Sequence, residues 1–541
     1  MAWRSMNLFE AIFRKQSSSA IAVLFEQQRI TYDELRKHAR RFACVLQELE
    51  INAGDRVALL LHDSPEFIAA FISICSSGAI AVPINMALRL EEQRAILKDC
   101  TAVLAIVEAD LCNRLLTDAG EELRHLKEVV VIGRDRDEEA VTGETGWPSI
   151  QSLDELLEHT QGDAVSNFPA PVSDEPAFIL YTSGSTGEPK GAVHRQSDIF
   201  YTNQTFCRQV LGLRNGDRLF SSSRLPFAYG LGNSLSFPLL NGATSVLCRE
   251  KPTPEVIERT FTDFKPTIFF GVPVIYNLLL EHHRRVNKLD CSSLRLCISA
   301  GEALPAQLGE DWQQTFGVEV LDGIGSTEML HMFISNHEGH VRYGSSGTLL
   351  EGYEVRLLDE HGGPTHPDSE GNLWIRGASA AMNYWQRPEV TARTFVDGWV
   401  RTGDLYRCEP DGYWFHVGRS DDCFKSSGQW VSPVEVEGAL LRHEGVSRVA
   451  VVEDFDEAGL PCPCAFIVCK EVESEIAELE AKLRELMKEA LPRFKRPRRY
   501  VFTSDLPYTA TGKIQRFKLR QELKTIQSPM SNVQGQSSMN D

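Results

Sequence analysis

The sequence runs to 541 residues, with hydrophobic residues at 42% and charged residues at 24%, which is the balance of a folded chain too long for one ordinary domain. Its 56 Lys and Arg against 75 Asp and Glu leave a formal charge of -19, which argues against a general nucleic-acid-binding surface, so a polyanionic ligand must meet a local positive site. The apolar stretches, such as Phe67 to Cys75 running on to Val82, are broken by Ser, Gly and Pro short of the about 18–20 residues that a bilayer span needs, so no membrane helix is expected.

The first residues, Met1-Ala2-Trp3-Arg4-Ser5, lack the pattern of a secretory signal, and a cytoplasmic location is expected. The 13 Cys residues, Cys462 and Cys464 included, form no metal-type CxxC pattern and are expected to be buried or free thiols. From Ala20 to about Ser420, short β-branched runs alternate with amphipathic stretches. Arg56 to Leu61, Pro65 to Ser76 and Ala79 to Pro83 set the rhythm. It predicts an α/β fold of βαβ units with parallel sheets packed by helices. Ala177 to Tyr181 reads as a buried strand delivering a Ser/Thr/Gly-rich loop, and Val318 to Leu321 as a second strand ending in Asp322-Gly323-Ile324-Gly325. Beyond Asp422 the texture changes to a small α+β unit, with strands at Val446 to Val452 and Ala465 to Val468 and a charged helix at about Glu473 to Leu491. The expected division is a large domain over 1–420, a small mobile domain over 421–527 and a disordered Ser/Asn/Gln-rich tail over 528–541.

The sharpest signal is Tyr181-Thr182-Ser183-Gly184-Ser185-Thr186-Gly187-Glu188-Pro189-Lys190-Gly191. Gly184 and Gly187 allow close backbone approach, the hydroxyls of Thr182, Ser183, Ser185 and Thr186 donate, and Lys190 supplies a cation, which together suit a triphosphate. It is not the ordinary P-loop, because Pro189 blocks the helix start that motif requires.

This loop resembles that of the adenylate-forming superfamily of acyl-CoA synthetases, adenylation domains and luciferases. The resemblance spans about Leu8 to Leu523, because further segments follow in the family's order: Ser299 to Pro305, Asp322 to Glu328, Trp399 to Leu405, Val417 to Asp422 and Thr509 to Ile514. It implies ATP, Mg2+ and coenzyme A as cosubstrates. Thr186, Lys190, Glu328 and Lys513 are the implied catalytic residues, with Glu328 also holding the metal. Gly301, Glu302, Asp322, Gly323 and Thr327 join the phosphate loop around the nucleotide, and Asp404 and Arg419 grip its ribose. Asp421 matches the hinge of the small domain. Gly428 and Trp430 lie on the implied path of the CoA arm. The family commonly has Lys or Arg where this chain has Tyr508.

Phe227-Ala228-Tyr229-Gly230 offers aromatic and small residues and no carboxylate, which argues against an α-amino acid substrate. Together with Gly325 and His331 it resembles the benzoate-CoA ligase branch, and Ile324, where most members carry an aromatic residue, fits that branch. Gly230, Gly232, Gly323 and Gly325 are expected to leave room for a flat ring against which Tyr229 stacks. The resemblance thus implies activation of a small aromatic acid (benzoate, anthranilate or a hydroxybenzoate) and transfer to CoA, or alternatively to a carrier-protein phosphopantetheine, by a monomer or homodimer. The basic run Arg493 to Arg499 is a candidate contact for CoA phosphates.

Overall fold

A computed structural model describes residues 7–14, 16–133, 148–159, 168, 174–183, 189–286, 289–359, 361–366, 369–427, 429–456, 459–470, 476–508 and 514–527. The chain divides into two compact units, one of residues 1–402 and 407–415, the other of 403–406 and 416–541. The fold class is α/β, as expected, with a smaller α+β unit.

The large unit is built on two long sheets. A seven-stranded sheet runs in the order Ser149–Ser152, Glu128–Ile132, Leu104–Glu108, Arg56–Leu60, Ile80–Pro83, Phe178–Ser183, Pro189–His194. Every neighbouring pair is parallel except the last, an antiparallel hairpin. A nine-stranded sheet has a parallel centre of Val320–Gly325, Leu296–Ser299, Ile268–Gly271, Arg218–Ser221, Thr244–Leu247 and Ile21–Phe25, with antiparallel strands at both ends. Parallel strands are covered on both faces, which is why these runs are apolar throughout rather than alternating.

The helix Pro65–Ser76 shows how sequence fixes an element here. Ser64 accepts the Phe67 amide at 3.2 Å as N-cap, Pro65 occupies the first turn, and the residues that follow are apolar on all sides. A helix without a polar face must be enclosed. Phe67, Ile68, Phe71 and Ile74 are accordingly buried in one cluster with Val57, Leu59 and Phe178 of the seven-stranded sheet and with Leu225, Leu231 and Leu235. Under the nine-stranded sheet, Trp312 of the helix Ala306–Phe316 is fully buried, edge-on to Tyr276 at 4.8 Å between ring centroids.

In the small unit, Val446–Phe455 pairs antiparallel with Pro461–Cys469, which pairs parallel with Arg499–Phe502. Separate apolar clusters cover this sheet, one including Val436, Leu440, Leu483 and Met487, the other Leu506, Leu519 and Leu523. The charged helix runs Ile476–Ala490. Cys462 and Cys464 are buried free thiols. Among the described residues no helix is long and apolar enough to cross a membrane. The expected tail, 528–541, lies outside the described residues.

Removing the largest buried side chain should test the packing. Trp312→Ala is expected to cost about 3–5 kcal/mol, read as a lower calorimetric unfolding midpoint of the large unit.

Candidate active site

The phosphate loop leaves the strand Phe178–Ser183 and returns on Pro189–His194, with Thr182 opposite Lys190 and Ser183 opposite Pro189. Gly184, Ser185, Thr186 and Gly187 lie outside the described residues. The base of the hairpin is braced from the side. Tyr181 donates its hydroxyl to Asp99 at 2.6 Å, Arg387 donates to the same carboxylate at 2.6 Å, and the Trp385 indole donates to the Asp99 carbonyl at 3.1 Å. Burial, with Asp99 alongside, pushes the Tyr181 phenol well above its usual range and keeps it a donor.

A second candidate segment is a turn. The strand Val320–Gly325 pairs antiparallel with Met332–Ser335, and the intervening Ser326 to His331 is closed by Met329 N–H to Ser326 and Leu330 N–H to Thr327. Three groups hold its middle. His194 contacts the Thr327 carbonyl through Nε2 at 2.8 Å and Asp198 through Nδ1 at 3.0 Å, with both side chains fully buried. Arg195 donates to the other Asp198 oxygen at 3.0 Å. Ala381 donates its N–H to the Glu328 carbonyl at 2.7 Å, and Tyr384 donates its hydroxyl to the Glu328 carboxylate at 2.6 Å. The Lys190 ammonium stands 5.9 Å from the centroid of the same Tyr384 ring. Tyr384 therefore touches both the loop cation and the turn carboxylate. No sequence motif marks His194, Asp198, Asp99 or Tyr384.

Among the described residues no cluster of three or more His, Cys, Asp or Glu forms a metal cage. A single half-buried carboxylate, Glu328, fits magnesium nonetheless, because that ion is usually held by one or two carboxylates and completes its shell with nucleotide phosphates and water.

Asp322 is buried, accepts the Leu304 N–H at 3.3 Å, and is pushed up to about 8 by loss of hydration. Gly301, beyond the strand Leu296–Ser299, has φ +97°, a conformation that favours glycine, and Glu302 follows it.

The pocket segment Phe227-Ala228-Tyr229-Gly230 starts the helix Ala228–Leu231, which widens into a π-helical stretch, Gly232–Ser236. Such widened turns are frequent at functional sites. Tyr229 donates to the Ile298 carbonyl at 3.2 Å, packs edge-on to Phe270, and lies 5.5 Å from the His331 ring. Phe206 and Phe237 each lie 4.6 Å from that imidazole, and Nε2 contacts Asn233 at 3.1 Å. Burial pulls His331 down to about 3, so it is neutral across physiological pH.

The four glycines correct the expectation of open space. An added Cβ would fall 2.0 Å from the Arg224 carbonyl oxygen at Gly230, 2.6 Å from His331 at Gly232, 2.3 Å from Met332 at Gly323 and 2.7 Å from the His331 backbone at Gly325. These residues let the chain pack closely upon itself; the space each side chain vacates is filled by protein.

In the small unit, Arg419 donates to the buried Asp404 at 3.2 Å and lies 3.5 Å from Asp421, while His416 is 3.6 Å from Asp404. Trp430 belongs to the strand Gln429–Val431, opposite Lys425. Gly428 and Lys513 lie outside the described residues; Tyr508 and Ile514, which flank the latter's segment, form a β-bridge. The basic run is largely committed within the unit. Lys495 pairs with Glu435 at 2.5 Å, Arg498 with Asp456 and Arg499 with Asp454 at 3.3 Å, and Arg496 donates to the Leu491 carbonyl at 2.7 Å. That pairing weakens its reading as a phosphate contact.

Comparison with known proteins gives the family. Residues 9–385 match the AMP-binding enzyme family and residues 435–513 the AMP-binding enzyme C-terminal domain. The chain belongs to this family of adenylate-forming enzymes. It is 43% identical over 499 residues to a benzoate–CoA ligase of Thauera aromatica, covering 91% of this chain and 90% of the relative. A 4-hydroxybenzoate–CoA/benzoate–CoA ligase of Rhodopseudomonas palustris is 36% identical over 502 residues, 93% of this chain and 90% of the other. Among solved structures, the anthranilate CoA ligase AuaEII in complex with anthranoyl-AMP superposes with a TM-score of 0.90 at 37% identity, covering 96% of this chain and 98% of its own.

Tyr384→Phe keeps the ring beneath Lys190 and removes the hydroxyl from Glu328. We expect the KM for MgATP to rise about tenfold, with the aryl acid KM within about twofold, in steady-state pyrophosphate release. An unchanged MgATP KM would separate Tyr384 from the nucleotide side.

Proposed function

We propose that this chain is an aryl acid:CoA ligase, AMP- and pyrophosphate-forming, that activates benzoate, anthranilate or a hydroxybenzoate. The observation that carries the reading is the turn Ser326 to His331, which holds a carboxylate suited to magnesium, Glu328, and a neutral aromatic-walled imidazole, His331, three positions apart. One turn thus serves the phosphates and the ring. The ring specificities of the relatives support the same substrate class.

An acid carboxylate oxygen forms a bond to the α-phosphorus of ATP as the bond to pyrophosphate breaks. The CoA sulfur, its proton lost to solvent, then bonds the acyl carbon, and AMP leaves with the oxygen that joined it to the acid. Lys190 and the hydroxyls of Thr182, Ser183, Ser185 and Thr186 hold the β- and γ-phosphates. Bound magnesium would neutralise phosphate charge from its place at Glu328. Gly301, Glu302, Asp322, Gly323 and Thr327 surround the nucleotide. Asp404 accepts from the ribose hydroxyls and Arg419 donates beside it. The Lys513 ammonium stabilises the charge developing between the carboxylate oxygen and the α-phosphorus. Asp421 is the hinge of the small domain, and Gly428 and Trp430 pass the pantetheine arm.

The wall at Tyr229 and His331 carries no charge, so it accepts an aryl ring and gives the acid's carboxylate no competing cation. An α-ammonium group would find no carboxylate partner in Phe227 to Gly232 and would bear its full desolvation cost.

A pyrophosphate-release screen of benzoate, anthranilate, hydroxybenzoates, cinnamates and short fatty acids should give the benzoates the highest kcat/KM, by about a hundredfold over fatty acids. Preference for fatty acids would overturn the aryl assignment. Lys513→Ala should lower adenylate formation by about 100–1,000-fold while thioester formation from supplied aroyl-AMP persists. Equal loss of both half-reactions would contradict the role given to Lys513.

A further inference from the structure

Two ion pairs tie the strand ends of one long sheet to those of the other. Asp63 follows the strand Arg56–Leu60 of the seven-stranded sheet; it accepts the Leu225 N–H at 3.1 Å, and its other oxygen lies 3.7 Å from the Arg224 guanidinium. Arg224 follows the strand Arg218–Ser221 of the nine-stranded sheet and also donates to the carbonyls of Cys248 and Glu250, beyond the strand Thr244–Leu247. Nearby, Glu108, at the end of its own strand, pairs with Arg249.

The two pairs differ in what depends on them. Arg249 is half-exposed, with its side chain 47% accessible, and leads back to the surface. Asp63 is buried, and what it holds is the peptide that opens the pocket segment. That segment folds back onto the same peptide, because Gly230 rests so closely on the Arg224 carbonyl that a Cβ there would lie 2.0 Å from its oxygen. Tyr229, one residue earlier, is pinned by its hydroxyl to the Ile298 carbonyl at 3.2 Å. The pocket segment is thus suspended between a buried carboxylate at its start and a strand carbonyl near its end. A buried charge is costly unless paired and hydrogen-bonded, and Asp63 spends its acceptors on Arg224 and Leu225.

We infer that Asp63 is a positioning residue of the acid site, which acts through Arg224 and Leu225 to fix where Phe227 to Gly230 stand and so which ring substituents the pocket accepts. The inference rests on the reading that this segment lines the acid pocket.

Asp63→Asn keeps an acceptor for the Leu225 amide and removes the charge facing Arg224. In steady-state pyrophosphate release the KM for benzoate should rise about tenfold with the MgATP KM within about twofold, and the preference between benzoate and its hydroxy and amino derivatives should change. Arg249→Gln breaks the neighbouring pair and should lower the melting temperature while leaving the acid KM and preference unchanged. The inference is overturned if Asp63→Asn raises both KM values together, if it changes neither KM nor preference, or if Arg249→Gln moves the acid KM equally. Ala228→Leu in the same assay tests the underlying reading. If it leaves acid KM and preference intact, the pocket assignment falls and takes the role of Asp63 with it; if it alters them and Asp63→Asn does not, only the role of Asp63 falls.

Discussion

The close antiparallel approach of Val320–Gly325 to Met332–Ser335 is the constraint on which the candidate site depends. Side chains at Gly323 and Gly325 would collide with Met332, Ile334 and the His331 backbone, so glycine at both positions is what allows the turn to close. Once closed, the turn places Glu328 and His331 on one short stretch of chain, and outside groups then fix it in place. The buried pair His194–Asp198 meets the Thr327 carbonyl, and the Ala381 amide and Tyr384 hydroxyl hold Glu328 at backbone and carboxylate. A site for a mobile triphosphate needs fixed groups, since donors and carboxylates already in place cost no reorganisation when charge develops.

Burial sorts the polar groups of the large unit by charge. His331 is driven to its neutral form within a ring of Phe206, Phe237 and Tyr229. Asp322 and Asp63 are both pushed upward by lost hydration, to about 8 and about 6, and differ in partners: Asp322 accepts a backbone amide, whereas Asp63 also faces a guanidinium. The surroundings of Tyr229 and His331 are thereby left without a charged imidazole, while the Lys190 ammonium stands over the Tyr384 ring. In an acidic chain, Lys190 is the local cation that the proposed function assigns to a polyanionic ligand.

The sequence made the elements legible where chemistry is local. The apolar run entering Tyr181 to Lys190 is a strand and its hairpin, the capped apolar stretch Pro65 to Ser76 is a buried helix, and the Asp322 to Glu328 segment is a strand running into a turn. What could not be read are contacts between residues far apart along the chain. Tyr384 reaches Glu328 across 56 positions, Tyr181 reaches Asp99 across 82 and His194 reaches Thr327 across 133. No periodicity records such pairs. The glycines misled for a related reason: a missing side chain looks the same in sequence whether a ligand or the chain itself fills the space. The partners of the basic run were likewise illegible, because Glu435, Asp454 and Asp456 lie elsewhere in the sequence.

In the proposed reaction an aromatic carboxylate is activated by joining its own oxygen to the α-phosphorus of ATP. Benzoate labelled with oxygen-18 in both carboxylate positions, turned over with ATP, magnesium and CoA, follows that oxygen directly. Phosphorus NMR of the products should find a single labelled oxygen in AMP and none in pyrophosphate. Label in pyrophosphate or phosphate, or unlabelled AMP beside newly formed benzoyl-CoA, would contradict the account.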